Sequence, residues 1–110
     1  MGFERLKSDA LGALLIDGVV CEKRKIISTA GGPVLHMIRR DWSHFENFGE
    51  VYFSEVLPGA VKAWKLHKRM TQHFCVPIGC IKLVLFDGRK SSATNGRINV
   101  FYLGRPDNYT

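Results

Sequence analysis

Turn signals divide this chain into short apolar segments. Glycine, proline, aspartate and asparagine cluster at residues 29–33, 58–59, 87–89 and 104–108 and predict a turn at each place. The segments between them are rich in β-branched, aromatic and leucine residues, and short strands at this spacing are typical of a sandwich or barrel. We therefore predict an all-β fold, with candidate strands at residues 14–21, 34–38, 50–56, 61–64, 74–78, 81–86 and 98–103.

The chain length limits this fold to one domain. With 110 residues, 45% of them hydrophobic, the chain is long enough for a single core and too short for two. A closed sandwich usually needs about eight strands. Because fewer candidates are present, we expect residues 1–110 to form one domain that is short at its C-terminus. Trp42, Phe45 and Phe48 recur every three residues and predict one short helical turn over residues 41–48.

Membrane and disulfide-rich classes do not fit the chain. No apolar run approaches the roughly 18 residues of a membrane span, and Glu4 and Lys7 interrupt any signal-peptide core. We therefore expect a soluble, cytoplasmic protein. The three cysteines cannot form a closed disulfide framework, and we expect reduced thiols packed as small apolar side chains.

The net charge of +6 favours an anionic partner. Nucleic acid, phosphorylated small molecules and acidic surfaces all meet that description. The basic residues are spread along the chain, and neither a long basic helix nor aromatic residues interleaved with basic ones are present. Charge alone therefore gives weak support to nucleic-acid binding, and we do not expect nucleic acid as the partner.

Residues 59–79 form the stretch with the most reactive side chains. In an extended strand, Lys65 and His67 point to the same side. If that side lines a cavity, the lysine charge favours the neutral imidazole that a general base needs, and the same cavity attracts anions. The alternative is a solvated strand end, which periodicity alone favours. A metal site at His67 and His73 is not expected, because the stretch has no carboxylate.

The spacing of this stretch resembles the first cupin motif. Gly59 is followed by five residues, then by Lys65, Leu66 and His67, then by four residues, Gln72, six residues and Gly79. The motif has metal ligands at the positions of Lys65, His67 and Gln72, and only the histidine at 67 is kept. The resemblance therefore implies a cupin-type jelly-roll barrel that binds no metal and uses no cofactor.

Other segments are similar to the metal-free nucleotide-sugar branch of the cupins, the dTDP-4-dehydrorhamnose 3,5-epimerases and dTDP-sugar 3,4-ketoisomerases. The similar segments are residues 35–39, 48–54, 59–64 and 104–109. The resemblance begins near Leu14 and implies a homodimer. The later Asp and Tyr of the epimerases and the second cupin motif would lie beyond residue 110, so we expect a barrel lacking its C-terminal strands.

The resemblance also suggests roles for individual residues. Lys65 occupies the position of the epimerase base, and His67 matches the second histidine of the ketoisomerase pair. The residue that contacts the diphosphate matches Lys62, while Glu50 and Tyr52 match residues that contact the sugar. The predicted catalytic residues are thus His67 and Lys65, and the predicted substrate-binding residues are Lys62, Glu50, Tyr52, Gln72 and Trp64.

Three functions are compatible with these sequence features. The first is an isomerase in deoxysugar or surface polysaccharide biosynthesis, in which His67 removes a proton next to the keto group of a dTDP-4-keto-6-deoxyhexose. The second is a non-catalytic sugar-nucleotide-binding protein, because Lys65 occupies the position of the epimerase base. The third, nucleic-acid binding, depends on net charge alone.

Overall fold

The structure, a computed structural model, describes residues 15–110, and in that range every regular element is a strand. The elements are β1 (Ile26–Ile27), β2 (Val34–Leu35), β3 (Cys80–Phe86) and β4 (Ile98–Gly104). β1 pairs with β2 and β3 with β4, in two separate antiparallel hairpins. The predicted all-β class is therefore confirmed.

The β3–β4 hairpin is the main ordered unit of the described chain. Its seven residue pairs run from Cys80 opposite Gly104 to Phe86 opposite Ile98. Alternation along β4 turns Phe101 and Leu103 inward, and each of them is at most 5% exposed. Together with Ile16 and Tyr109 they form the buried apolar core of the described residues.

The turns predicted at residues 29–33, 58–59 and 104–108 are confirmed, whereas the turn predicted at 87–89 lies at residues 89–92, where Ser92 N donates to Arg89 O. Gly32 N donates to Thr29 O between β1 and β2, and the chain reverses again at residues 57–60, where Ala60 N donates to Leu57 O at 2.9 Å. At the end of β4, the backbones of Gly104 and Asn108 bond to each other in both directions, at 3.0 and 3.1 Å. Glycine, proline and asparagine restrict the backbone locally, which explains why turn positions could be predicted without tertiary information.

Several predicted strands were wrong. Residues 50–56, 61–64 and 74–78 belong to no strand, and neither do residues 15–21, while Leu14 lies outside the described residues. A strand is defined by its backbone ladder to a neighbour, and in the described chain these segments have none. The helical turn predicted over residues 41–48 was wrong: residues 39–45 form two successive turns, with Trp42 N bonded to Arg39 O and Phe45 N to Trp42 O, and residues 46–48 are in no regular element.

Candidate functional site

Two arms joined by the turn at Pro58 and Gly59 contain most of the predicted site. The first arm is residues 50–57 and the second arm is residues 60–67. Lys62 Nζ of the second arm donates to Ser54 Oγ of the first arm at 2.9 Å, so the two arms touch at their middle. Four positive side chains and no carboxylate lie between residues 62 and 69. The second arm and the residues just after it therefore favour an anion, while the carboxylates of the arms, Glu50 and Glu55, are confined to the first arm.

The side chains of both arms are exposed to solvent. Trp64 is 69% exposed and Tyr52 is 55% exposed, and Glu50 and Lys62 are exposed as well. Neither arm has a strand neighbour within the described chain, so no second layer covers it. The arrangement is an open, basic surface with aromatic side chains on it.

Of the two alternatives for Lys65 and His67, a lined cavity and a solvated segment, the described chain shows the solvated one. Both side chains are exposed. A cavity needs walls from two layers, and the second arm is not paired into either sheet. The structure has a surface cavity of about 510 Å³ elsewhere, lined by Pro77, Ile78, Gly79, Cys80, Arg105 and Pro106. Cys80 is exposed at this place rather than packed as expected, whereas Cys21 and Cys75 are half-buried.

His67 and Gln72 are brought together by the structure. Nε2 of the Gln72 amide lies 3.0 Å from Nε2 of the His67 ring, which is a hydrogen-bonding distance. The four intervening residues let the chain leave the second arm and return beside its end. Three of the predicted site residues therefore lie within one short segment: Lys65, His67 and Gln72.

A cluster around Trp42 holds the segment that follows Gln72. The His73 ring packs against Trp42 at 5.4 Å between centroids, and His44 packs against it at 5.1 Å. Trp42 Nε1 donates to Glu22 Oε2 at 2.7 Å, and the Arg24 guanidinium lies 4.5 Å from the ring centroid. A cation over an indole face is a favourable contact. No motif or spacing in the sequence indicates this cluster, because its members come from three separate segments.

The backbone of Arg24 links the Trp42 cluster to the end of the chain. Arg24 N donates to Tyr109 O at 2.9 Å. Burial, and then a hydrogen bond with Cys75, raise the pKa of Tyr109 to about 12. Its phenol therefore stays neutral at physiological pH, and the residue acts as part of the core.

The loop between β3 and β4 contains a second polar cluster, centred on Asp87. The sequence predicted only a turn in this region. The Asp87 carboxylate accepts hydrogen bonds from Arg89 Nε at 2.9 Å, Ser92 Oγ at 2.6 Å and Thr94 Oγ1 at 2.7 Å. These bonds, that from Arg89 first, hold the pKa of the Asp87 carboxyl far below its usual range. Arg89 also donates to Asp17 O at 2.8 Å, so this cluster stabilises the fold and does not touch the arms.

Two kinds of site are not found in the described part of the chain. Residues 15–110 contain no group of three or more His, Cys, Asp or Glu side chains arranged to bind a metal ion. Over the same residues there is no helix with the length and apolar character needed to cross a membrane.

Comparison with known proteins gives close relatives. No family model matches the chain. It is 56% identical to a solved structure of a dTDP sugar isomerase from Desulfovibrio desulfuricans G20, with a TM-score of 0.83 over 86% of this chain and 60% of that one. The predicted likeness to the nucleotide-sugar branch of the cupins is therefore confirmed, and so is the fold that it implies.

Two curated proteins are also similar. The spore coat polysaccharide biosynthesis protein SpsL of Bacillus subtilis is 33% identical over 90 residues, which are 82% of this chain and 60% of that protein. The "probable low-salt glycan biosynthesis epimerase" of Haloferax volcanii is 35% identical over 75 residues, which are 66% of this chain and 48% of that protein. The chain thus spans about half to three fifths of the length of these relatives.

Proposed function

We propose that this chain, a cupin-like relative of nucleotide-sugar isomerases and epimerases, acts on a dTDP-linked 4-keto-6-deoxyhexose in polysaccharide biosynthesis. The observation that carries the proposal is the 56% identity to a dTDP sugar isomerase over 86% of the chain. The likeness is therefore a property of most of the chain rather than of one short motif. The names of the curated relatives agree with a role in polysaccharide biosynthesis.

The proposed reaction is a proton transfer next to a ketone. The imidazole of His67 takes a proton from the carbon beside the C4 carbonyl, and the electron pair of the broken C–H bond moves onto the carbonyl oxygen as an enolate. Protonation of the same carbon from the opposite face by solvent gives the epimer; if instead the proton of the C3 hydroxyl moves to the C4 oxygen and a proton is added at C4, the product is the 3-ketone, and neither route changes the overall oxidation state. The Lys65 ammonium, two residues away, stabilises the negative charge that develops on the oxygen.

The arms supply the binding groups in this proposal. Lys62 pairs with the diphosphate of the sugar nucleotide, which requires it to exchange its bond to Ser54 for one to a phosphate oxygen. Glu50, Tyr52 and Gln72 offer carboxylate, hydroxyl and amide groups to the sugar, and Trp64 offers an aromatic face. The particular reaction that we propose is that of a dTDP-4-dehydrorhamnose 3,5-epimerase.

The exposed arms support the expected homodimer. Phe53 is 92% exposed and Val61 is 87% exposed, and large apolar side chains in that state are commonly covered by another surface. If the arms pair with those of a second copy, that copy covers their apolar side chains and encloses the second arm on further sides. A homodimer in the cytoplasm is thus part of the proposal, and sedimentation equilibrium tests the assembly state.

A second function is favoured by one residue. Lys65 occupies the position of the epimerase base, and a lysine that stays protonated cannot accept a proton. In that case the protein binds the sugar nucleotide without turning it over. The two functions predict the same ligand and differ only in chemistry.

Isotope exchange separates the two. The protein is incubated with dTDP-4-keto-6-deoxyglucose in D₂O, and the hexose is analysed by NMR for deuterium at C3 and C5. The isomerase predicts deuterium with the wild type and none with His67→Asn, while His36→Asn serves as the matched control and retains exchange. Binding of dTDP in calorimetry without exchange supports the binding protein instead. Absence of both binding and exchange contradicts both functions.

A further inference from the structure

A loop at residues 68–71, the basic loop, places positive charge next to His67 at the end of the second arm. The chain bends at Lys68 and Arg69, and both side chains are exposed to solvent. After this loop the chain is again beside the arm, where Nε2 of Gln72 lies 3.0 Å from Nε2 of the His67 ring. Arg69 follows His67 by two residues, so their Cα atoms are at most about 7 Å apart.

The guanidinium of Arg69 is unpaired in the described chain. Within residues 15–110 its side chain makes no hydrogen bond or ion pair, whereas the guanidinium groups of Arg39 and Arg89 are paired with carboxylates. Residues 56–86 contain no Asp or Glu that could compete for it. A guanidinium in such a place attracts anions, and its planar fork binds phosphate oxygens in pairs.

The substrate of the proposed reaction has its diphosphate close to the reacting carbons. The diphosphate is attached at C1 of the hexose, which is separated from C3 by C2 alone and from C5 by the ring oxygen alone. A hexose with either carbon at His67 therefore has its sugar-side phosphate near that residue. Lys62 lies five residues before His67, and its ammonium is bonded to Ser54 of the first arm. Arg69 is closer to His67 along the chain and has no such bond.

We propose that Arg69 binds the phosphate next to the sugar, while Lys62 binds the phosphate on the nucleoside side. The inference rests on the proposed function, because it takes a sugar nucleotide as the ligand and places the hexose at His67. Two cations on either side of the hexose attachment point hold a diphosphate better than a single phosphate. The basic loop thereby fixes the hexose at His67 and favours nucleoside diphosphate sugars over sugars with one phosphate.

The first test measures affinity by calorimetry with dTDP, inorganic pyrophosphate and thymidine. We expect Arg69→Gln to weaken dTDP binding about tenfold or more, because a charge-assisted contact is lost. Arg69→Lys should give an intermediate loss, because an ammonium keeps the charge without the fork. Both losses should shrink at high salt, since the contact is exposed. Thymidine has no phosphate and should bind the three proteins equally.

Arg40→Gln is the matched control. Arg40 is also an exposed arginine whose side chain has no hydrogen bond or ion pair within the described residues. Its replacement removes the same charge from another part of the chain, so we expect dTDP affinity to change by less than about twofold. Equal losses in Arg40→Gln and Arg69→Gln overturn the inference, because net charge would then explain both. Unchanged dTDP affinity in Arg69→Gln also overturns it.

Direct contact is tested in the wild type, so that this result depends on no variant. In ¹⁵N-labelled protein, the Nε–Hε signal of Arg69 is assigned through its own side-chain carbons and followed during a titration with inorganic pyrophosphate. We expect it to shift and saturate, while the corresponding signal of Arg40 stays in place. An Arg69 signal that does not move overturns the inference.

The deuterium exchange reaction separates this inference from the proposed function. Arg69→Gln should raise KM with kcat nearly unchanged, because the residue binds a part of the substrate that does not react. Binding of dTDP through Arg69 without exchange contradicts the enzyme and leaves the inference standing. Exchange with the same KM in the wild type and Arg69→Gln overturns the inference and leaves the enzyme standing. A wild type that binds neither dTDP nor pyrophosphate overturns both.

Discussion

The β3–β4 hairpin and the two arms are made from similar residues and reach different states. Both are rich in valine, leucine and aromatic residues, and both turn at a glycine-containing segment. In the hairpin, Phe101 and Leu103 are buried, and seven residue pairs form the ladder. In the arms, Phe53 and Val61 are almost fully exposed, and the one bond between side chains of the two arms joins Lys62 to Ser54.

The difference is due to what closes each turn. The loop after β3 is held by a buried carboxylate with hydrogen-bond donors on three side chains. The turn between the arms is closed by one backbone hydrogen bond, from Ala60 N to Leu57 O. Pro58, inside this turn, has no backbone N–H and adds no second bond. Isolated two-stranded hairpins are marginal in water without packing. The β3–β4 hairpin has such packing through its buried Phe101 and Leu103, whereas the arms have none in the described chain.

The largest expected effect comes from a pair of Phe→Ala substitutions. Phe101 is 4% exposed and Phe53 is 92% exposed. Phe101→Ala removes a buried ring and is expected to lower the free energy of unfolding by about 3–5 kcal/mol. Phe53→Ala is expected to change it by less than about 0.5 kcal/mol. Urea denaturation followed by circular dichroism measures both.

If Phe101→Ala does not fold, Phe101→Leu gives a smaller step in the same direction. Equal losses for Phe101 and Phe53 would mean that the arms contribute to the stability of the isolated chain, and the contrast between the two regions would be lost.

A pair of Gly→Ala substitutions gives the next largest effect. Gly104 has a φ of 151°, and a methyl group there would overlap the carbonyl oxygen of Gly79. We expect Gly104→Ala to cost about 1–3 kcal/mol. Gly49, beside the first arm, has open space and no positive φ. Gly49→Ala is expected to be neutral or slightly stabilising, and thermal unfolding of both variants checks the difference. A neutral Gly104→Ala would contradict the close approach of the two backbone segments.

The smallest effect is expected in the acid range. The pKa of Asp87 is lowered in the folded protein, chiefly by Arg89. A lowered folded pKa gives stability that is present above the unfolded value of about 3.9 and is lost as the pH falls below it. The free energy of unfolding should therefore decrease from pH 5 towards pH 2, and this decrease should be smaller in Asp87→Asn.

Asp41 provides the matched control. Its carboxylate pairs with Arg39 at 2.8 Å, but both side chains are more than 60% exposed. Asp41→Asn should therefore leave the acid dependence close to that of the wild type. An unchanged acid dependence in Asp87→Asn would assign the effect to other carboxylates.

Local chemistry made part of this protein predictable. Three of the four turns were found where they were predicted because glycine, proline and asparagine restrict their own backbone. The strands at residues 81–86 and 98–103 were found because each has a partner nearby in the chain, and β3 and β4 extend each by one residue. The predicted strand at residues 50–56 was wrong because pairing depends on a neighbour that the segment itself does not specify. Whether Lys65 and His67 line a cavity or face solvent was left open by the sequence for the same reason, since a cavity wall depends on segments elsewhere in the chain.

The sequence by itself determined the all-β class, the turns and the likeness to sugar-nucleotide cupins, because these depend on residue identity and spacing along the chain. The tertiary structure alone decided that Asp87 gathers Arg89, Ser92 and Thr94, and that Gln72 meets His67 beside a Trp42 cluster. Those contacts depend on how separate segments approach in space, and hydrogen bonds of about 3 Å are satisfied only once the backbone has placed both partners.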